Sequence, residues 1–133
     1  AERGLQDRVH FEGRRNQSEL AGMMRDFDGF VFPSIRELGA GVVIEAMACG
    51  TPVIAYNRGS VPEIIEDGLT GFIVEDEISA ISSVGRLSML NRDAIRKQFE
   101  TRFTARRMAL DYLAAYRSLM EAKPRFKLVA SAE

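Results

Sequence analysis

Apolar residues along this chain form short runs of strand length that alternate with segments of helical spacing. The runs that predict strands lie at residues 9–12, 29–33, 53–55 and 71–74. The segments that predict helices lie at residues 17–27, with Ser18 as the cap, and at 42–49, 61–66 and 78–90. Alternation of this kind is typical of a parallel sheet covered by helices. We therefore predict an α/β fold with a parallel sheet and flanking helices.

The last third of the chain carries a purely helical pattern. It runs from Arg92 to about Ala122, with a break predicted near residues 101–104. One mostly apolar stripe follows the final helix, made by Leu110, Leu113, Tyr116, Arg117 and Met120. Residues 123–133 read as a tail. The pattern thus predicts one domain over residues 1–122 followed by this tail.

Residues 33–55 are the most informative segment. They read as a strand end, a loop with Gly39 and Gly41, a short helix and the next strand. Glycines permit close backbone approach, and the first N–H groups of a helix attract anions. Gly50 suits the position just past a helix end. Because open α/β sheets bind ligands where strands end and helices begin, we expect a diphosphate at this loop.

Two carboxylates flank the same loop. Because they would repel a diphosphate, each of them must face an uncharged group of the ligand. Glu45, about one turn into the helix, can accept hydrogen bonds from both hydroxyls of a ribose. Glu37, on the strand side, would face the sugar at the other end of a nucleotide sugar. Taken alone, Glu45 could equally be a solvated helix carboxylate, and the glycines could serve only turn geometry.

The spacing of Glu37 and Glu45, which are separated by seven residues within Pro-Ser…Glu…Gly…Glu-Ala-Met-Ala-Cys-Gly-Thr-Pro-Val, resembles the paired-glutamate motif of GT-B glycosyltransferases of family 4. Residues 8–13 are similar to the family's strand before its nucleobase pocket. Residues 59–74 are similar to its Gly-x-x-Pro-Glu-Ile-Ile segment and final strand. The likeness covers about two thirds of the chain.

This resemblance implies a Rossmann-like sheet that forms part of the C-terminal, donor-binding domain of a GT-B fold. It implies a retaining transfer, without metal or other cofactor, from a nucleoside diphosphate sugar to an acceptor hydroxyl. Glu37 would be catalytic at the donor sugar, and Glu45 would hold the ribose. The resemblance assigns further donor contacts to Gly39, Ala40, Gly41 and Val42, and the wall of the nucleobase pocket to Gly13 and Arg14.

The resemblance also indicates that this chain is a fragment. The family's sheet has the order 3-2-1-4-5-6, and this chain begins just before strand 3, without an initiator Met. Residues 9–12 would then lack their family neighbours, so we expect them to pair elsewhere, to pair in a homodimer, or to be poorly ordered. The acceptor domain and the diphosphate-neutralising cations would lie upstream. The arginines that remain as candidates match no family cation, and we expect the fragment alone to be inactive; they are Arg14, Arg15, Arg36 and Arg58.

Composition narrows the function without identifying it. A net charge of −1 gives no basic excess that would indicate nucleic-acid binding. The single cysteine, Cys49, excludes an intrachain disulfide and reads as core filling, while His10 has no ligand partners and reads as structural. No apolar run approaches the length of a transmembrane helix. We expect a cytoplasmic protein, with peripheral membrane association through the missing domain as a further option.

Two alternatives to a transferase stay open at this point. One is a non-catalytic module for nucleotide-sugar binding or assembly. The other is a GT-B relative that performs epimerisation or phosphorolysis, which the Glu-Ala-Met-Ala-Cys-Gly run argues against.

Overall fold

The computed structural model describes residues 4–36 and 39–122. Their helices and strands follow in the order α1 Gln17–Asp26, β1 Phe30–Phe32, α2 Gly41–Ala48, β2 Val53–Tyr56, α3 Val61–Ile64, β3 Gly71–Val74, α4 Glu77–Val84, α5 Arg92–Arg102 and α6 Ala105–Glu121. A 3₁₀ turn, Leu87–Met89, lies between α4 and α5. The α/β class is confirmed, as is the helix break before α6. The predicted tail, residues 123–133, lies outside the described residues.

The three strands form one parallel sheet in the order β1-β2-β3. Phe30 lies opposite Val53, which in turn lies opposite Gly71. Gly71 permits this close pairing, because a Cβ at this position would lie 2.2 Å from the Val53 carbonyl oxygen. All three strands predicted between residues 29 and 74 are therefore confirmed, and their carboxyl ends share one edge of the sheet.

The central strand β2 sends alternate side chains into two cores. Val53 and Ala55 pack in the larger core, which is built with residues of α1, α2, α3 and α5. Ile54 points to the opposite face and packs with Phe72 and Leu87. Since the side chains of Val53, Ile54 and Ala55 are each at most 1% exposed, the sheet is covered on both faces at these residues, as is usual for parallel sheets.

Helix α2 ends as its sequence predicts. Gly50 has φ +69° and follows the last helical turn. Its N–H donates to the Met47 carbonyl, and the Thr51 N–H donates to the Ala46 carbonyl, each at 3.0 Å. These two bonds form a Schellman motif, which satisfies carbonyls that the helix leaves open.

Three predicted helix boundaries are wrong, and one of them is the end of α3, which lies at Ile64 rather than at residue 66. The cap of α1 is Asn16 rather than Ser18, because Asn16 and Glu19 exchange side-chain to backbone hydrogen bonds of 2.9 Å in a capping box. The predicted helix at 78–90 divides at Gly85, where α4 ends. Ser83 Oγ there donates to the Ser79 carbonyl at 2.8 Å, a side-chain bond that competes with the helical ladder.

The strand predicted at residues 9–12 is also wrong. These residues have no strand conformation and are all exposed, with the Phe11 side chain 96% exposed. Among the described residues β1 is an edge strand, and residues 9–12 do not pair with it. A short extended segment without a ladder partner is not stable as a strand. His10 is accordingly exposed rather than packed, contrary to its predicted structural role.

Helix α6 has an apolar stripe that no described part of the chain covers. Leu110, Leu113, Tyr116 and Met120 are between 49% and 84% exposed, and α6 contains no buried residue. Arg107 on the polar side pairs with Asp111 at 2.9 Å, and this hydrogen-bonded partner raises the pKa of Arg107. Arg106 and Arg107 are both exposed.

Candidate functional site

The loop before α2 closes into a tight turn at the edge where the strands end. Ala40 has φ −73° and ψ 57°, and the Gly41 N–H donates to the Gly39 carbonyl at 2.7 Å. These values define an inverse γ-turn centred on Ala40. Ala40 is only 1% exposed, so its side chain is part of the core and anchors the loop.

A second loop supports this turn. The Ser60 hydroxyl, at the start of α3, accepts a hydrogen bond of 3.1 Å from the Ala40 N–H. The Val43 N–H donates to the Ala40 carbonyl at 3.0 Å. For the Val42 N–H, we find no acceptor among the described residues. The amino end of α2 therefore has a fixed shape, and Val42 supplies an N–H group for an incoming acceptor.

Glu45 lies one turn further along α2 and is exposed. It lines a cavity of about 380 Å³ between α1 and α2. The other lining residues are Gln17, Ser18, Leu20, Ala21, Met24, Ala48 and Cys49. Glu45 thus lies beside a concave surface with apolar walls, and Gln17 and Ser18 at the start of α1 add polar groups.

Gly13 and Arg14, two of the predicted site residues, are not brought to this cavity. Glu37 lies outside the described residues. Gly13, with φ +67°, and Arg14 lie in the exposed segment before α1, and neither lines the cavity. The structure therefore joins Glu45 to the loop 39–42 through α2, while the roles predicted for Glu37, Gly13 and Arg14 stay predictions.

Two of the four arginines considered as phosphate ligands, Arg15 and Arg58, are engaged elsewhere. Arg58 donates to Glu75 at 3.2 Å and to the Asn57 carbonyl at 2.7 Å. Hydrogen bonds from Asn57 and Arg58 lower the pKa of Glu75. Arg15 pairs with Glu12 at 2.5 Å, and Arg36 is exposed at the end of the loop that follows β1. Arg58 could reach an anion only by releasing Glu75.

A metal site and a reactive cysteine have little support in the part of the chain that the structure describes. It contains no cluster of three or more residues suited to holding a metal ion. Cys49 is half-buried against the larger core, and its thiol lies 3.6 Å from the Ala21 carbonyl, which confirms its packing role. Among residues 4–36 and 39–122, no helix is both long enough and apolar enough to span a bilayer.

Sequence reasoning missed Ser60 and three arginines of α5. Ser60 stands just before an apolar helical stretch, a position typical of helix caps, but its actual partner is Ala40, twenty residues earlier in the chain. Arg92, Arg96 and Arg102 contact the carboxyl ends of other helices. No local pattern could assign these partners, because they lie between 38 and 67 residues away.

Comparison with known proteins gives a consistent result. The family model described as "Glycosyl transferases group 1" matches residues 1–106. A D-inositol 3-phosphate glycosyltransferase of Arthrobacter sp. strain FB24 is 42% identical over 77 residues, which are 58% of this chain and 18% of that protein. The same-named protein of Streptomyces scabiei strain 87.22 is 42% identical over 72 residues, 54% of this chain and 16% of that protein.

A solved structure agrees with these sequence matches. Sucrose-phosphate synthase from Thermosynechococcus elongatus superimposes with a TM-score of 0.72 and 30% identity, over 90% of this chain and 32% of that one. The chain spans less than a fifth of the length of the two curated relatives.

Proposed function

Because this chain belongs to the group 1 glycosyl transferases, we propose that it is the donor-binding part of a retaining glycosyltransferase. The complete enzyme would transfer a sugar from a nucleoside diphosphate sugar to an acceptor hydroxyl. The observation that carries this proposal is the arrangement on α2, where a fixed loop with an open N–H group precedes an exposed carboxylate that borders a cavity.

The donor's charged part would lie at the amino end of α2. The helix dipole places partial positive charge there, and anions are favoured at such ends. In this proposal Gly39, Ala40, Gly41 and Val42 surround the sugar–phosphate junction, with the Val42 N–H donating to a phosphate oxygen. Since the Ala40 N–H is held by Ser60, its contribution is to shape the loop rather than to bind phosphate directly.

The two glutamates would bind the uncharged parts of the donor, which are the ribose and the donor sugar. Glu45 would accept hydrogen bonds from both ribose hydroxyls, so that the nucleoside lies along the cavity between α1 and α2. Glu37 would meet the donor sugar as the catalytic carboxylate. Gly13 and Arg14, just upstream of α1, would wall the nucleobase. Transfer also needs positive charge at the leaving diphosphate, and we assign most of it to residues outside this chain.

The remainder of the enzyme is also part of the proposal. The exposed stripe of α6 offers an apolar surface for an acceptor-binding domain. We propose a metal-independent enzyme located in the cytoplasm. The retaining course of the reaction follows from the family 4 resemblance. The alternative function, a non-catalytic nucleotide-sugar binding module, fits the same cavity but leaves Glu37 without a role.

Replacement of Glu45 tests the binding mode. In the full-length enzyme, Glu45→Ala is expected to weaken binding of UDP, GDP or ADP, whichever the wild type binds best, by about 10- to 100-fold, the effect of losing hydrogen bonds to a charged group. Glu121→Ala, another exposed helix carboxylate, is the matched control and should leave affinity unchanged. Equal affinity of the Glu45 variant and wild type in calorimetric titration would remove the ribose role.

Product analysis tests the reaction. The full-length enzyme, supplied with a nucleotide sugar and a panel of acceptors, should release nucleoside diphosphate and form a glycoside with retained anomeric configuration. An epimerised donor would indicate the epimerase alternative. Donor binding without any product would indicate the binding module.

A further inference from the structure

Three helices of this domain end at arginines of a fourth. Helices α1, α2 and α3 each leave carbonyl oxygens without helical partners at their carboxyl ends. Helix α5 passes these ends and provides Arg92 to α1, Arg96 to α2 and Arg102 to α3. We call these three residues the arginine clamp.

Arg92 makes the most extensive contact. Its guanidinium donates to the Phe27 carbonyl at 2.6 Å and to the Arg25 carbonyl at 2.7 Å, both at the end of α1. A third bond of 3.3 Å reaches the Thr51 hydroxyl, at the start of the β2 region. The Arg92 side chain is half-buried, so these bonds are only partly screened by water.

The other two members of the clamp act in the same way. Arg102 donates to the Glu63 carbonyl at 2.6 Å and to the Ile64 carbonyl at 3.1 Å, which are the last residues of α3. Arg96 donates to the carbonyl of Ala48, the last residue of α2. Each contact therefore places a cation at the negative end of a helix and satisfies its open carbonyls.

Helix α5 is itself anchored in the core, so it can hold the other three helices in position. Ile95 is fully buried in the larger core between the clamp residues. Gly50 allows α5 to approach the end of α2, since a Cβ on Gly50 would lie 2.9 Å from the Arg92 carbonyl oxygen. The clamp residues therefore lie on a helix that is anchored in the same core as the helices that they contact.

The same three helices form the candidate site, which includes the carboxyl end of α2 as well as the amino ends. Helix α1 begins with Gln17 and Ser18, which line the cavity. Helix α2 begins with the loop at residues 39–42 and carries Glu45. Helix α3 follows Ser60, which holds the Ala40 N–H. A shift of any one helix along its axis would therefore change the cavity or the loop.

We propose that the arginine clamp consists of positioning residues, which set the axial placement of α1, α2 and α3 and thereby the geometry of the nucleotide site around Glu45. This inference rests on the proposed function for its ligand, and it adds a role for α5, which does not line the cavity but contacts Ala48, one of the lining residues. Arginine suits this role because its planar fork can bridge two carbonyls, whereas lysine offers a single ammonium point.

Substitution of Arg92 by lysine tests this role while keeping the charge. Arg92→Lys in the full-length protein should lower the affinity for UDP, GDP or ADP by about threefold or more, whereas Lys97→Ala, on the exposed side of α5, should not change it. In a Glu45→Ala background the loss caused by Arg92→Lys should shrink to less than about twofold, because the clamp acts through the Glu45 site. Equal losses in both backgrounds would show a structural role only and overturn the proposal.

Hydrogen exchange gives a readout that needs no ligand. Arg92→Lys should raise the exchange rates of amides at the start of α1, and Arg96→Ala those at residues 41–44, while amides in the middle of α6 keep theirs. If the wild type binds none of the three nucleotides, the proposed function is wrong, and the exchange rates alone then test whether the clamp positions the helices. Unchanged exchange at both helix starts would refute it.

Discussion

Thr51 offers a direct measurement of how strongly the end of α1 is tied to the rest of the domain. Its side chain is fully buried. Its hydroxyl donates to the Met24 carbonyl at 2.5 Å and accepts from Arg92 at 3.3 Å. Valine has nearly the same shape but cannot make either bond, so Thr51→Val isolates the contribution of the hydroxyl.

The expected size of the effect follows from the partners that remain. The Met24 carbonyl keeps the Phe27 N–H, a 3.3 Å bond, and Arg92 keeps two carbonyls, so no group is left entirely unpaired. Losing one neutral bond and one bond to a charged group costs roughly 1 and 1.5 kcal/mol, respectively. The added methyl group returns up to about 0.8 kcal/mol. We therefore expect the free energy of unfolding to fall by about 1 to 2 kcal/mol.

The assay is urea denaturation followed by circular dichroism, with the denaturant slope compared among variants. Thr101→Val is the matched control. Its hydroxyl is exposed and bonds only to the Lys97 and Gln98 carbonyls of its own helix, so the change should be within about 0.5 kcal/mol. If the two valine variants were equally stable, the contact between Thr51, Met24 and Arg92 would contribute nothing, and the reasoning from these bonds would be refuted.

Two further predictions concern the sheet and the cap of α4. Gly71→Ala should destabilise the fold by at least about 1 to 3 kcal/mol, since the new Cβ would meet the Val53 carbonyl oxygen. The control is Gly22→Ala, which has open space around it within α1 and should stabilise the fold by roughly 0.5 to 1 kcal/mol. Equal denaturation midpoints of the two variants would contradict the close pairing of β2 with β3. Hydrogen bonds from Ser79 lower the pKa of Asp76, so the Asp76 carboxylate stabilises the fold above its ordinary value of 3.8, and this stabilisation disappears as the pH falls through the lowered pKa. Asp76→Asn can still cap α4 but does not titrate there, so the stability of wild type relative to this variant should fall below pH 3.8, and a difference that is constant with pH would argue against the cap.

The features that were predictable from the sequence depend on local chemistry. β3 was predicted at its observed bounds because an apolar run there follows a glycine. Gly50 was assigned correctly because a left-handed residue after a helix is a local requirement. The amino end of α2 was also predictable to within one residue, since the glycine loop and the apolar helix adjoin in the chain.

Most of the features that were missed depend on partners far away in the chain, whereas the cap of α1 depends on a choice between two neighbouring candidates. Residues 9–12 have the composition of a strand, but strand formation requires a neighbour, and composition does not supply one. Asn16 and Ser18 are both good caps, and only the return bond from Glu19 decides between them. The three arginines of the clamp look like ordinary surface charges of a helix, because their partners are backbone carbonyls, which every residue has and which no sequence pattern indicates.

The order of the sheet has a consequence for how the domain assembles. Each strand pairs with the next strand in the chain through one helical crossover, so the sheet of β1, β2 and β3 needs shorter loop closures than the contacts of α5 with α1 do. The bonds from Arg92 to the end of α1 span more than 60 residues and can form only after the sheet exists. We therefore expect α5 to dock late in folding, so that weakening the clamp accelerates unfolding and leaves the folding rate nearly unchanged.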